Sequence, residues 1–318
     1  MRKARFSLSV ASAVLVMLVL GCGAQPAAQP NASAPAPANQ VMEAPKERKV
    51  KDEIGHEITI PAEPKRIIGI YLEDELTSLG ITPIRQARIG SWSGQQYLGL
   101  SVPDIDIDGS VEAFLDAGPD LILINVHNDK KYEQFSKVAP MYAFKDARAD
   151  WRATIRTLGD LLNKKDKAEG VIQAYDQKAK SAAERIKQSV GEQSVAILRV
   201  HAKELRLYGG PGYAGPVVHG ELGLKPHKLV QEMVLDQKLG VTKLSMEKIP
   251  ELTADHIFIT TDTGAEDKTK ELLDNPLWKS LPAVKNGHVY EINFETWMKS
   301  GPIADSKKID DVVKALVK

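Results

Sequence analysis

Cysteine occurs once in these 318 residues, at Cys22, so no intrachain disulfide framework can hold the fold. An excess of charge is also missing. Forty-two basic residues balance 42 acidic ones and no long basic block occurs, so nothing in the chain marks a nucleic-acid binder. Long apolar runs are absent too. The stretch from Phe6 to Leu20 is fifteen residues, short of the roughly twenty that cross a bilayer. Seven histidines (56, 127, 201, 219, 227, 256 and 288) show no His-x-x-x-His spacing, which speaks against a zinc or manganese centre. No Gly-x-Ser-x-Gly occurs, so the nucleophile of an α/β hydrolase is lacking. The glycine-rich "GGPGYAG" (209–215) has no Lys-Ser/Thr ending and is no phosphate loop.

What is present begins with an address. Arg2, Lys3 and Arg5 precede the apolar run, which has the length of a signal-peptide core. Val19-Leu20-Gly21-Cys22 resembles the lipobox of bacterial lipoproteins, in which the cysteine is acylated and becomes the new N-terminus. Residues 1–21 are then a signal peptide, and their loss leaves 39 basic against 42 acidic residues. Residues 22–47 are rich in Ala, Pro, Gln, Asn and Ser and bury too little to fold, so they read as a tether. A tether implies a body that works beside a membrane.

That body, from about Arg48, is some 270 residues, enough for two lobes. Continuous apolar runs ("IIGIY" 67–71, "LILIN" 121–125, "VAILRV" 195–200, "IFIT" 257–260) alternate with helical sequence. This predicts an α/β fold with mostly parallel sheets covered by helices on both faces. Ile172, Tyr175, Ala179, Ala182, Ile186 and Val190 recur at helical steps and predict one long helix over 164–191. It divides an N-terminal lobe (48–163) from a C-terminal lobe (192–318). The lobes look alike: "SVEAFLDAGPDLILIN" (110–125) aligns without gaps on "SMEKIPELTADHIFIT" (245–260), sharing Ser110/Ser245, Glu112/Glu247 and Asp120/Asp255. Two similar lobes enclose a cleft, a favoured place for ligands.

The ordered segments "DEIGHEITIPAEPKRIIGI", "LTSLGITPI", "FLDAGPDLILI", "NPLWKSLPAVKNGHVYEI" and "SGPIADSKKIDDVVKAL" resemble the iron-siderophore and cobalamin substrate-binding proteins of ABC importers, the class III periplasmic-binding-protein fold. The resemblance implies a non-enzymatic, monomeric lipoprotein that captures a ferric siderophore and delivers it to a membrane permease, with Cys22 as its anchor on the outer side of the cell membrane and no cofactor of its own. Cobalamin and haem are the alternatives within the fold. The few arginines in the cleft loops favour hydroxamate ligands. The resemblance places ligand contacts on strand-end loops: Arg88, Trp92 and Tyr97, then Asn125, His127 and Lys130, in the first lobe. In the second lobe it points to Arg199, Arg206, Tyr208 and Tyr213, with Trp297 and Met298 near the C-terminus. Arg199 interrupts an apolar strand, so it is either a ligand contact or one half of an internal ion pair. Arg206 suits equally the solvated face of a hairpin, and Trp151 and Trp278 sit in helical patterns as packing residues. The family docks one acid per lobe on its permease. The expected positions here are Glu73, Asp74 or Glu75, at a helix start, and Glu221.

Overall fold

Strand β1 (Arg48–Lys51) opens the body and pairs antiparallel with β2 (Glu57–Ile60) in the computed structural model, which describes residues 46–88, 95–106, 110–125 and 129–317. The turn between them is built by Asp52, whose Oδ1 accepts the N–H groups of Ile54, Gly55 and His56. Such Asx turns let a side chain replace a backbone partner. Trp92, His127 and Cys22 lie outside the described residues.

The first sheet is parallel, in the order β3 (Ile67–Ile70), β6 (Leu121–Asn125), β7 (Met141–Phe144). Beside it, β4 (Gln86–Arg88) and β5 (Asp104–Asp106) form a parallel pair, joined to β3 by a bridge between Ile68 and Arg85. Both faces are buried, as the continuous apolar runs require. Ile68, Ile70, Ile122 and Ile124 face one core with Phe114 and Phe135, while Ile67, Leu121 and Leu123 face the other. Helices α1 (Glu73–Ser78), α2 (Val111–Ala117), α3 (Asp129–Phe135) and α4 (Trp151–Leu161) complete this lobe. The side chain of Asp150 caps α4 by accepting from the Arg152 and Ala153 amides.

Helix α5 (Lys165–Val190) fills the stretch expected to be one long helix, and Gly191 follows it at positive φ (56°). Its 26 residues span about 39 Å at 1.5 Å each. Ala168, Ile172, Tyr175, Ala179, Ala182 and Ile186 form its buried stripe.

The second sheet joins parallel strands to an antiparallel arm. Its order is β11 (Val241–Leu244), β9 (Glu204–Tyr208), β8 (Ser194–His201), β12 (His256–Thr261), β13 (Val289–Glu291), and β10 (Lys225–Pro226) also pairs with β8. Only two residues separate β8 from β9, and a connection that short forces an antiparallel hairpin. The chain ends in a long helix, Pro302–Leu316, packed against α5 and α1. Residues Pro45–Lys318 form one unit. A single apolar cluster includes Ile67 and Phe144 of the first sheet, Tyr175 of α5, and Ile197 and Phe258 of the second sheet.

The repeat is structural. Ser110 and Ser245 start the Val111–Ala117 and Met246–Glu251 helices with matching angles (φ −74°, ψ 155° and φ −74°, ψ 152°). Asp120 accepts the amides of Lys65 and Arg66 before β3, and Asp255 accepts the Ser194 amide at the start of β8. In each lobe the shared acid therefore ties together the starts of two neighbouring parallel strands.

Candidate ligand site

Parallel strands deliver their following loops to one edge of a sheet, and in open α/β sheets that edge is where ligands bind. Tyr71 directly follows β3, with φ 61°, a left-handed value that is rare for a large side chain. It lines a cavity of about 200 Å³ together with Asp74, Gln95 and Arg148 from the first lobe and Gly212, Tyr213, Met298, Lys299 and Ser300 from the second. The Lys299 ammonium stands 5.9 Å from the centre of the Tyr71 ring. An adjoining cavity of about 640 Å³ shares Met298 and Lys299 and reaches Tyr97, Asn293, Phe294 and Lys307. Two tyrosines, an arginine and a lysine thus meet between the lobes, an aromatic and cationic surface suited to a bulky neutral or anionic chelate.

The expected residues separate into walls, floor and outside. Tyr97, Tyr213 and Met298 line the cavities. Beneath lies a buried polar floor. Arg199 is 3 % exposed and holds Asp262 with two guanidinium nitrogens (Nη2 to Oδ2 2.8 Å), while its Nη1 donates to the Tyr208 hydroxyl at 3.1 Å. Its guanidinium also lies 4.9 Å from the centre of the Phe294 ring. Of the two readings of Arg199, the geometry is the internal ion pair. Tyr208 is fully buried, its ring edge-on to Tyr213 at 4.9 Å, so it supports a wall residue without forming surface itself.

Trp297 also departs from its expected role. It is fully buried, stacked on Phe258 at 5.0 Å, with its indole N–H donated to Asp311. The polar sequence "NFETW" hid a core residue, because the short helix Phe294–Trp297 turns this one side chain inward. Trp151 and Trp278 are buried as expected. Arg206 donates to Glu204 on the same strand face, and Arg88 and Lys130 are exposed and line neither cavity. Asn125, at the end of β6, is half-buried and lines neither cavity.

Three of the four acids expected to dock on a permease are internal. Glu73, Asp74 and Glu75 are at most 3 % exposed, because α1 lies between the first sheet and the C-terminal helix. Asp74 accepts the Tyr97 hydroxyl (2.9 Å) and the amides of Ile303 (2.8 Å) and Ala304 (2.9 Å). Burial pushes its carboxyl up to about 7, against the pull of those donors. Burial also raises Glu73, whose Oε1 accepts the Ala87 amide, and Glu75, where the neighbouring Asp74 charge adds to the effect. Asp305 is raised by burial too, partly offset by the buried Lys308 that pairs with it. Glu221 is half-buried and tied to Arg152 (3.0 Å) and the Tyr175 hydroxyl. First-turn acids look like solvated caps in a sequence, and only the packing of a distant helix buries them.

Tyr71, Gln95, Arg148 and Lys299 were not expected at the site. Tyr71 had a signal, an aromatic directly after an apolar strand. Arg148 and Lys299 lie in polar loops with none. Among the described residues, no group of three or more His, Cys, Asp or Glu is placed to hold a metal ion, and no helix is long and apolar enough to cross a membrane.

The periplasmic binding protein family profile matches residues 101–296. The chain belongs to that family. Among curated relatives, it is 29 % identical to the iron(3+)-hydroxamate-binding protein FhuD of Bacillus subtilis, over 82 % of this chain and 84 % of that one. To the iron(3+)-hydroxamate-binding protein YxeB of the same organism it is 31 % identical, over 82 % and 83 %. A crystal structure of a Bacillus subtilis FhuD-fold periplasmic binding protein, a component of a ferrichrome ABC transporter, superposes with a TM-score of 0.74 at 28 % identity, covering 85 % of this chain and all of that one. The fold is accordingly the class III periplasmic-binding-protein arrangement, built of mixed α/β lobes and helices without a closed barrel. Members of this family bind substrates.

Proposed function

We propose that this chain is the extracytoplasmic substrate-binding component of an ABC importer and that it holds a ferric hydroxamate siderophore between its lobes. The carrying observation is the interlobe cavity with Tyr71, Tyr213, Arg148 and Lys299 on its walls, in a chain whose relatives are named for iron(3+)-hydroxamate binding. Tyrosine faces and methionine suit the apolar body of such a chelate, and the two cations suit the oxygen-rich iron centre. Cys22 anchors the chain to the membrane through an acyl group, and residues 22–47 give the body its reach.

Docking on the permease falls to Glu112 and Glu247 in this reading, in place of Glu73–Glu75 and Glu221. Both are exposed, sit at the same position of the repeated segment, and lie in the first turn of a helix. A helix that follows one parallel strand and returns to the next starts at the strands' C-terminal edge, so each acid stands on the cleft side of its lobe.

The test is a panel of ferric hydroxamates, catecholates and carboxylates, with cobalamin, haem and free metal ions, read by tryptophan quenching. Saturable one-site binding of a ferric hydroxamate is expected. Selective binding of cobalamin, haem or a bare metal ion would overturn the reading. Preference for a carboxylate siderophore would assign Arg148 and Lys299 to an anionic ligand instead.

A further inference from the structure

Two pieces of the cleft's wall converge on one carboxylate. Tyr97 belongs to the first lobe and lines the larger cavity, and its hydroxyl donates to Asp74 Oδ2. The turn Met298–Lys299–Ser300 lines the smaller cavity from the other side and runs straight into the C-terminal helix. The first amides of that helix, Ile303 and Ala304, donate to Asp74 Oδ1 and Oδ2. Between turn and helix stands Gly301, at φ 138°, where a Cβ would lie 2.6 Å from Asp74 Cγ. Only glycine lets the backbone come this close. Lys308, itself buried, donates to the Lys299 carbonyl and pairs with Asp305, which fixes the far end of the same turn.

We infer that Asp74 is the positioning residue of the cleft, holding Tyr97 on one wall and the Met298–Gly301 turn on the other in a single register. The inference rests on the cleft being the ligand site. A cap for the helix alone would need neither the tyrosine nor the glycine. Charged and titratable groups near Asp74 include Glu75 on α1, Tyr97, and Lys299 and Asp305 from the C-terminal segment, and Arg148 lines the same cavity.

The test uses the full chain, with Asp74→Ala, Asp74→Asn and Gly301→Ala compared with wild type. Two quantities are measured: affinity for a ferric hydroxamate, and amide hydrogen exchange of the ligand-free protein. Losing three hydrogen bonds of about 1 kcal/mol each, those from Tyr97, Ile303 and Ala304, predicts a loss of at least about tenfold in affinity for Asp74→Ala. Gly301→Ala should match it, because the added methyl displaces the turn from the carboxylate. Asp74→Asn keeps an acceptor for one of the two amides and a partner for Tyr97 but sets its NH2 against the other amide, so its loss of affinity should be smaller than that of Asp74→Ala. Faster exchange should be confined to peptides covering 95–98 and 299–304. Unchanged affinity in both Asp74→Ala and Gly301→Ala overturns the inference, as does exchange loosened equally in β6 and β12. If Asp74→Ala does not fold, Gly301→Ala decides: unchanged affinity, or exchange loosened equally in β6 and β12, overturns the inference. Failure of wild type to bind any ferric siderophore would sink the proposed function, while the exchange measurement, made without ligand, still reads the coupling of the two walls.

Discussion

Arg199→Ala separates the two roles an arginine can play beneath a ligand site. In the folded protein its guanidinium is 3 % exposed and grips Asp262, whose side chain is 11 % exposed, and His201 Nε2 stands 3.7 Å from the same carboxylate. Removing the guanidinium leaves a nearly buried carboxylate with only a histidine nearby. Breaking a buried pair from one side costs about 3–5 kcal/mol, because the surviving charge keeps its desolvation penalty without its partner. For a domain of this size each kcal/mol moves the melting temperature by about 2–4 °C, so a fall of about 6–20 °C is expected. Arg199→Met with Asp262→Leu removes both charges at similar volume and should recover most of that loss. The assay is thermal unfolding followed by circular dichroism, with a ferric hydroxamate titration at a temperature where both variants are folded. A single mutant that melts within about 2 °C of wild type yet no longer binds would refute the reasoning, since it would make Arg199 a ligand group.

Three further outcomes are expected. Glu73, Asp74, Glu75 and Asp305 are raised by burial, so their stabilising contribution is complete below ordinary carboxyl values and is lost as pH climbs through the folded ones, about 7 for Asp74. Burial lowers His219 and His227, so protonating them below about 6.5 opposes folding. The melting temperature should therefore rise from pH 8 to about 6.5, and the rise should shrink in Asp74→Asn; a flat profile in wild type would contradict this. Neutralising Glu112 and Glu247 together should abolish uptake by cells and leave solution affinity within about twofold, whereas normal uptake would remove these acids from the docking surface. Cys22→Ala should release the protein from membranes or leave its leader uncleaved, with intact mass as the readout; an unacylated wild-type chain cleaved elsewhere would sink the anchor.

The α/β body, the long helix and the repeated segment were legible in the sequence because each shows in a run of neighbouring residues. Continuous apolar runs specify strands buried on both faces, and the stripe from Ile172 to Ile186 specifies a helix whose observed ends fall within one residue of those expected. Repetition of Ser110, Glu112 and Asp120 at Ser245, Glu247 and Asp255 carried the symmetry, since each copy occupies the same place in a helix-then-strand segment. Tertiary structure alone decided which polar side chains are inside. Glu73, Asp74 and Glu75 look like the solvated first turn of a helix until a segment more than 220 residues away lays its amides on Asp74. Arg199 finds Asp262 only because β8 and β12 lie side by side in one sheet. Trp297 is buried because Phe258 of that same sheet is there to receive it. Burial of a polar or aromatic group is set by what approaches it from elsewhere in the chain, and periodicity along one element carries no record of that approach.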